Sequence, residues 1–320
     1  MRLGRACLKI RPGWPLAALL AAVAVVALTL GCGGEATGQA TSTQTLDVDT
    51  PQLDEQQAEP PLRMVPVTVD LAVGANRFAF AVFDEDRNPV RVAKIDVTYL
   101  PLSGEEREER TAEAIFRKWP TGHAGVYSVM VEFDRAGPWG MLGRFTGEDG
   151  EAVLAQTGVT VKEQSSSPGI GQPVPASDSR TLDTAGDLGR LTSALSPDPD
   201  LYRVSIADAV GNGLPTVVSF ATPAFCSTAT CGPQVDILAK LKDRYAPSAN
   251  FIHVEVYENP HEMLTNQGNG RLSPVMDEWG LATEPVTFVL GADGIVTGKF
   301  EGFVNEEELE SALSEVLPSP

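Results

Sequence analysis

The pattern of apolar and polar positions changes character twice along the chain. Between Leu16 and Leu30 the residues are an almost unbroken run of Ala, Val and Leu, preceded by Arg2, Arg5, Lys9 and Arg11. From Arg63 to Lys162 the apolar residues instead recur at every second position. Phe78, Phe80 and Val82 form one set, and Tyr127, Val129, Val131 and Phe133 form another. Between them, after the turn-like Asp84-Glu85-Asp86-Arg87-Asn88-Pro89, come Val90, Val92, Ile95, Val97 and Tyr99. A period of two predicts strands with one buried face. Ala136-Gly137-Pro138-Trp139-Gly140 interrupts the pattern, and Ala155 to Val161 supplies a closing strand.

After Thr181 the grammar becomes one of strands alternating with helices, which predicts a mixed α/β layer fold. Ser205 to Val210 reads as a short helix stopped at Gly211-Asn212-Gly213, and Pro215 to Ala221 as a buried central strand. Gln234 to Tyr245 places Val235, Ile237, Leu238 and Leu241 at helical spacing, and Phe251 to Val256 is a second strand. A short helix around Met276-Asp277-Glu278-Trp279 precedes a third strand, Pro285 to Leu290. The turn Ala292-Asp293-Gly294 leads into a fourth strand, Ile295 to Phe300, and Asn305 caps a last helix reaching about Val316.

Two polar stretches divide these parts. Residues 33 to 62 are mostly Gly, Thr, Gln, Ser, Asp, Glu and Pro, too polar to offset the entropy of ordering. The segment Glu163 to Ser177 is rich in Ser, Gly and Pro and reads as a linker. The expected organisation is therefore a signal peptide at 1–31, a tether at 32–62, an all-β sandwich at 63–162, a linker at 163–180 and an α/β domain at 181–320. Several short strands across about 100 residues argue for an immunoglobulin-like sandwich. The runs Gly125-Val126-Tyr127 and Ala136-Gly137-Pro138-Trp139 resemble extracytoplasmic sandwich domains of bacterial transport and copper-handling proteins. His123 reads as a loop residue rather than a ligand, and no cluster of Met or His stands in this part to build a metal site.

The opening segment resembles the signal of bacterial lipoproteins: a basic start, an apolar run shorter than the roughly 20 residues of a membrane span, then Thr29-Leu30-Gly31-Cys32. The resemblance implies Cys32 as the lipidated first residue, on the extracytoplasmic face of a cell membrane. Cleavage would remove four of the 24 basic residues and none of the 43 acidic ones, moving the net charge from −19 to −23. Such a chain repels nucleic acid and anionic headgroups, so nucleic-acid binding is excluded.

The chain has four cysteines, and two of them, Cys7 and Cys32, belong to the export segment. That leaves Cys226 and Cys231 in an oxidising compartment, where a disulfide can form and persist. They follow the apolar run Val217-Val218-Ser219-Phe220-Ala221 and stand at the threshold of a helix, as a thiol or metal site.

The segment from about Ile206 to Val316 resembles the thioredoxin superfamily. Phe225 stands before Cys226 as an aromatic residue stands before the family's first cysteine. The spacing from Cys231 through Leu238 and Leu241 to Tyr245 matches the helix after the second, and Trp279-Gly280-Leu281-Ala282-Thr283-Glu284-Pro285-Val286-Thr287-Phe288 matches the segment with the cis-proline. The resemblance implies thiol–disulfide exchange with exported proteins and a membrane redox partner. Cys226 would be the nucleophile, Cys231 the resolving thiol and Pro285 the neighbouring substrate guide, with no cofactor. A helix N-terminus favours thiolate over thiol, which supports that assignment.

Four residues separate the cysteines where the family has two, and Ser219 stands where many relatives bury an Asp. Three other readings stay open. A permanent structural disulfide in a noncatalytic domain would also use this pair. Copper chaperones of the Sco type combine two loop cysteines with a histidine, for which His253 and His261 are present. A peroxiredoxin needs Thr and Pro at fixed positions before its cysteine; Thr228 fits the first, but Ala224 stands where the Pro belongs.

Overall fold

The computed structural model describes residues 62–104, 108–119, 125–147 and 150–318. The expected signal segment with Cys7, Cys32, the expected tether up to Pro61, and His123 lie outside them.

The period-two segments form seven strands: β1 (Leu62–Pro66), β2 (Gly74–Phe83), β3 (Lys94–Pro101), β4 (Arg110–Lys118), β5 (Gly125–Phe133), β6 (Gly137–Thr146) and β7 (Ala152–Val161). They pair in the order β1-β2-β5-β4-β3-β6-β7 and close into a barrel, because β1 also pairs in parallel with β7. This corrects the expected sandwich. β4 divides its length between two neighbours, so no gap separates two sheets. The first part of β4, Arg110 to Ile115, pairs with β3, and its end, Ile115 to Lys118, pairs with β5. Strands that pass from one layer to the other in this way make the corners of a closed sheet. Inside, the alternating residues pack as expected: Phe78, Phe80, Ile95, Val97, Tyr127, Phe133, Trp139 and Met141 are all buried. Phe133 and Trp139 meet edge to face at 4.9 Å.

The second half contains α1 (Leu182–Ala185), α2 (Ile206–Val210), β8 (Thr216–Ala221), α3 (Cys231–Tyr245), β9 (Asn250–Glu255), α4 (Pro260–Met263), α5 (Pro274–Glu278), β10 (Val286–Leu290), β11 (Val296–Glu301) and α6 (Glu306–Ser314). Its four strands lie in the order β11-β10-β8-β9. β8 is parallel to β9 and antiparallel to β10, and β10 returns as the β10–β11 hairpin. All six residues of β8 are buried because the sheet is covered on both sides. Val217 and Ala221 face a core with Leu238 and Leu241 of α3 and Leu309 and Leu313 of α6. Val218 and Phe220 face the other core, with Ile206 of α2, Met276 of α5 and Trp279. The order and direction of these elements are those of a thioredoxin-like fold, as the sequence resemblance implied.

Residues 163–180, read from composition as a linker, pack as an ordered strap. Gly171 N–H donates to the Val296 carbonyl and Val296 N–H to the Gln172 carbonyl, extending the β11 side of the sheet. Ser177 and Ser179 are buried and satisfied: Trp279 Nε1 donates to Ser177 Oγ at 3.1 Å, and Ile206 N–H to Ser179 Oγ at 2.9 Å. Gly280 lets the strap approach closely. At φ 61°, a Cβ there would stand 2.1 Å from the Ser166 carbonyl oxygen.

The strap, barrel and α/β half belong to one compact unit, joined by buried charge. Arg77 of β2, 4% exposed, makes two 2.8 Å hydrogen bonds to Glu308 of α6. Glu308 also accepts from Ser128 Oγ at 2.9 Å, and the Arg77 guanidinium lies 5.4 Å from the centre of the Phe300 ring. Burial alone would raise the Glu308 pKa, but the Arg77 hydrogen bonds and charge outweigh it and hold it below the ordinary value. Asp70 accepts from both Lys162 and Lys299 at 2.8 Å, and Glu301 accepts from the N–H groups of Val69 and Asp70 at 3.0 Å.

Candidate redox site

β8 ends at Ala221, and the chain runs through Pro223 and Phe225 to Cys226, then through Ser227-Thr228-Ala229-Thr230 to Cys231. Cys226 and Cys231 form a disulfide, with their Cα atoms 6.0 Å apart. The bond joins unlike environments. Cys226 is half-buried, whereas Cys231 is fully buried and is the first residue of α3. The expected helix thus starts three residues earlier than its apolar spacing indicated. Gly232 and Pro233 fall within its first turn, where the missing proline N–H costs nothing. The first turn carries no acidic residue and the last carries Lys242 and Arg244, so the positive end of a fifteen-residue helix is left facing the sulfurs.

The four intervening residues bring two hydroxyls into line. Ala229 adopts a left-handed conformation, φ 57°, turning the loop back on itself. Thr228 Oγ1 then lies 3.3 Å from Cys226 Sγ and 2.7 Å from Thr230 Oγ1. Thr230 precedes the helix, but its side chain makes no capping bond to the first turn.

Pro285 follows a cis peptide bond to Glu284 and stands one step beyond the Val286–Phe220 pair of β10 and β8. That register brings it level with Ala221, at the end of the sheet from which the cysteine loop departs. Its carbonyl accepts from Gly302 N–H at 2.9 Å. Glu284 is partly buried, which raises its carboxyl pKa. Ser219 is buried, its hydroxyl 3.0 Å from that of Thr287, so this buried polar pair is uncharged.

Beneath the loop lies a buried polar group that the sequence did not disclose. Ala224 N–H donates to Ser193 Oγ at 3.0 Å, and Ser193 in turn donates from its hydroxyl and its N–H to Glu255 Oε2. Burial raises the Glu255 pKa above its ordinary value, against the lowering effect of Thr222 and Ser193. His253, on the same strand, uses both ring nitrogens. Nδ1 is 2.6 Å from Tyr202 Oη and Nε2 is 3.0 Å from the Ala221 carbonyl. A carbonyl only accepts, so Nε2 carries the proton and Nδ1 accepts from the tyrosine. Burial lowers the His253 pKa to about 4. Both nitrogens are therefore occupied in structure rather than offered to a metal. His261 lies on α4 beside Glu262, at 3.8 Å. Among the described residues, no group of His, Cys, Asp and Glu stands together to hold a metal ion.

The barrel also packs on the apolar cluster that holds both sulfurs. Trp119, just after β4, packs in the same apolar cluster as Cys226 and Cys231 and meets Phe303 edge to face at 6.3 Å. Its indole N–H is buried and has no hydrogen-bond partner among the described residues. Sequence reading missed Trp119 because it sits some hundred residues upstream in a different domain. Thr228 and Thr230 were visible inside the loop, but nothing in their spacing revealed the contact with sulfur.

No family model matches the chain, and no curated protein matches it. Among solved structures, it is similar to a thiol:disulfide interchange protein of the thioredoxin family from Chlorobium tepidum TLS. That similarity has 16% identity, 47% of this chain, 99% of the other and a TM-score of 0.33. It is also similar to the C-terminal domain of a putative thiol-disulfide oxidoreductase from Bacteroides thetaiotaomicron, at 11% identity, 46% of this chain, 95% of the other and a TM-score of 0.31.

Proposed function

We propose that the protein is a lipid-anchored, extracytoplasmic thiol–disulfide oxidoreductase acting on exported proteins. The observation that carries this reading is the asymmetry of the Cys226–Cys231 disulfide, with one sulfur half-buried and the other sealed at the first residue of α3. In the reduced protein the Cys226 thiolate attacks one sulfur of a substrate disulfide. That S–S bond breaks, the first substrate sulfur leaves as a thiolate, and a mixed disulfide forms. The Cys231 thiolate then attacks Cys226 Sγ, closing the internal disulfide and releasing the second substrate thiolate. The protein gives up two electrons and the substrate gains them; a membrane dithiol partner restores the reduced pair. The reverse sequence oxidises a substrate dithiol. Pro285 stands at the end of the sheet where the substrate chain would lie.

The membrane part of the proposal rests on the basic, apolar and Cys32-terminated opening segment, whose lipidation would hold the protein at the outer face of the membrane.

Equilibrating the full chain in dithiothreitol redox buffers, with the Cys226–Cys231 state read by mass, tests the exchange. A reversible couple is expected between about −270 mV, the poise of thioredoxin, and about −120 mV, that of a strong oxidant. The emission of Trp119, in the same cluster as both sulfurs, should follow the same titration and vanish from the signal in Trp119→Phe. A disulfide that stays closed throughout this range belongs to a noncatalytic domain and sinks the proposal.

A further inference from the structure

The strand beneath the redox loop puts no carboxylate on the sulfurs: Ser219 is spent on Thr287 across β8 and β10, and the buried Glu255 reaches the loop only through Ser193 and the Ala224 N–H. What touches the Cys226 sulfur is instead a hydroxyl. We propose that Thr228 is a catalytic residue whose hydroxyl donates a hydrogen bond to the Cys226 thiolate in the reduced protein, with Thr230 as the residue that positions it. This rests on the exchange reading above, because only that reading requires Cys226 as a nucleophile.

The geometry is directional. Thr228 Oγ1 is 3.3 Å from Cys226 Sγ and 2.7 Å from Thr230 Oγ1. Thr230 is 3% exposed and makes no capping bond, so its hydroxyl is free of the usual duty of a residue before a helix. Donating to Thr228, it leaves the Thr228 proton for the sulfur. A disulfide sulfur accepts weakly, whereas a thiolate accepts a charge-assisted bond, so the pair strengthens when the disulfide opens. Each hydroxyl polarises the next. Ala229, in its left-handed conformation, is the hinge that sets Thr228 and Thr230 together, and a two-residue loop would have no room for the arrangement. The four-residue spacing thus has a chemical consequence.

The full chain, reduced and held without oxygen, can be alkylated with iodoacetamide across a range of pH, and modification of the Cys226 peptide followed by mass. Thr228→Val should move the midpoint of alkylation upward by about one pH unit, a rate about ten-fold lower on the acidic limb. Thr228→Ser, which keeps the hydroxyl, should match the wild type, and Thr230→Val should shift in the same direction by less. Thr228 is exposed, so its variants keep the fold; Thr230 is buried, so circular dichroism must verify the fold of Thr230→Val before its midpoint is compared. A Thr228→Val midpoint equal to that of the wild type overturns the proposal. So does a Thr228→Ser shift as large as that of Thr228→Val, which would assign the effect to packing. If the Thr228 shift appears but the protein exchanges no disulfide with dithiothreitol, the oxidoreductase reading fails and the thiolate contact stands.

Discussion

The seam between barrel and α/β half is built from buried charge, whereas the cysteine loop is built from hydroxyls and sulfur. Arg77, Glu308, Asp70, Lys299 and Glu301 meet across the seam with little water around them. Beside its disulfide partner, the loop sulfur meets the Thr228 hydroxyl, which in turn meets that of Thr230. Charges withdrawn from water are intolerant of losing one partner, so the seam behaves as a rigid joint. Neutral hydroxyls suit a sulfur whose charge would change in the proposed exchange.

The largest effect should come from breaking the joint. Arg77→Met leaves the Glu308 carboxylate buried beside Ser128 and Arg117 without its bidentate partner. A loss of about 3 to 5 kcal/mol in denaturant unfolding is expected. Adding Glu308→Leu should recover part of it, because no unpaired charge remains. The Cys226–Cys231 potential should stay where it was in both variants. A shift in potential as pronounced as the loss of stability would erase the distinction between seam and loop.

Beneath the loop, the comparison becomes a matter of pH. The folded protein holds His253 neutral, with its pKa lowered from 6.5 to about 4. Between those values the unfolded chain binds a proton that the folded one refuses, so stability falls as pH drops from about 6.5 to about 4. The loss amounts to about 3 kcal/mol from this group. Glu255 acts oppositely, since its raised pKa means that stability falls as pH rises through its titration. Thermal unfolding of wild type and His253→Gln across this window should show the slope flattening in the variant, which retains an acceptor for Tyr202 and a donor for Ala221. An unchanged slope would mean that another group governs acid sensitivity.

The thioredoxin-like half was legible because each signal there is local. Ser205 caps α2, Asn305 caps α6, and the β-branched run of β8 is flanked by helical periodicities. Alternation in the barrel correctly reported which residues face inward, yet it carries no information about partners. That is why the split pairing of β4, and with it the closed ring, escaped it. Composition misled at residues 163–180, where serines read as solvated are buried against the Trp279 indole and the start of α2. The site was half legible. The cysteine pair and Pro285 lie in motifs, but Ser193 and, through it, Glu255 come to the loop from other elements, through contacts of long sequence separation.

The smallest effect gives the sharpest control on what makes the seam rigid. Lys94 Nζ lies 2.6 Å from Glu113 Oε1 on the outer face of the barrel, a shorter contact than the 2.8 Å bonds of Arg77. If distance alone set the strength of an ion pair, this one would rank higher. Both side chains are about half exposed, 58% and 48%, so water screens the attraction and rehydrates whichever partner remains. Lys94→Ala should therefore change unfolding stability by no more than about 0.5 kcal/mol, and less in high salt. A loss approaching that of Arg77→Met would show that burial is not what separates the two pairs, and the rigidity of the seam would need another cause.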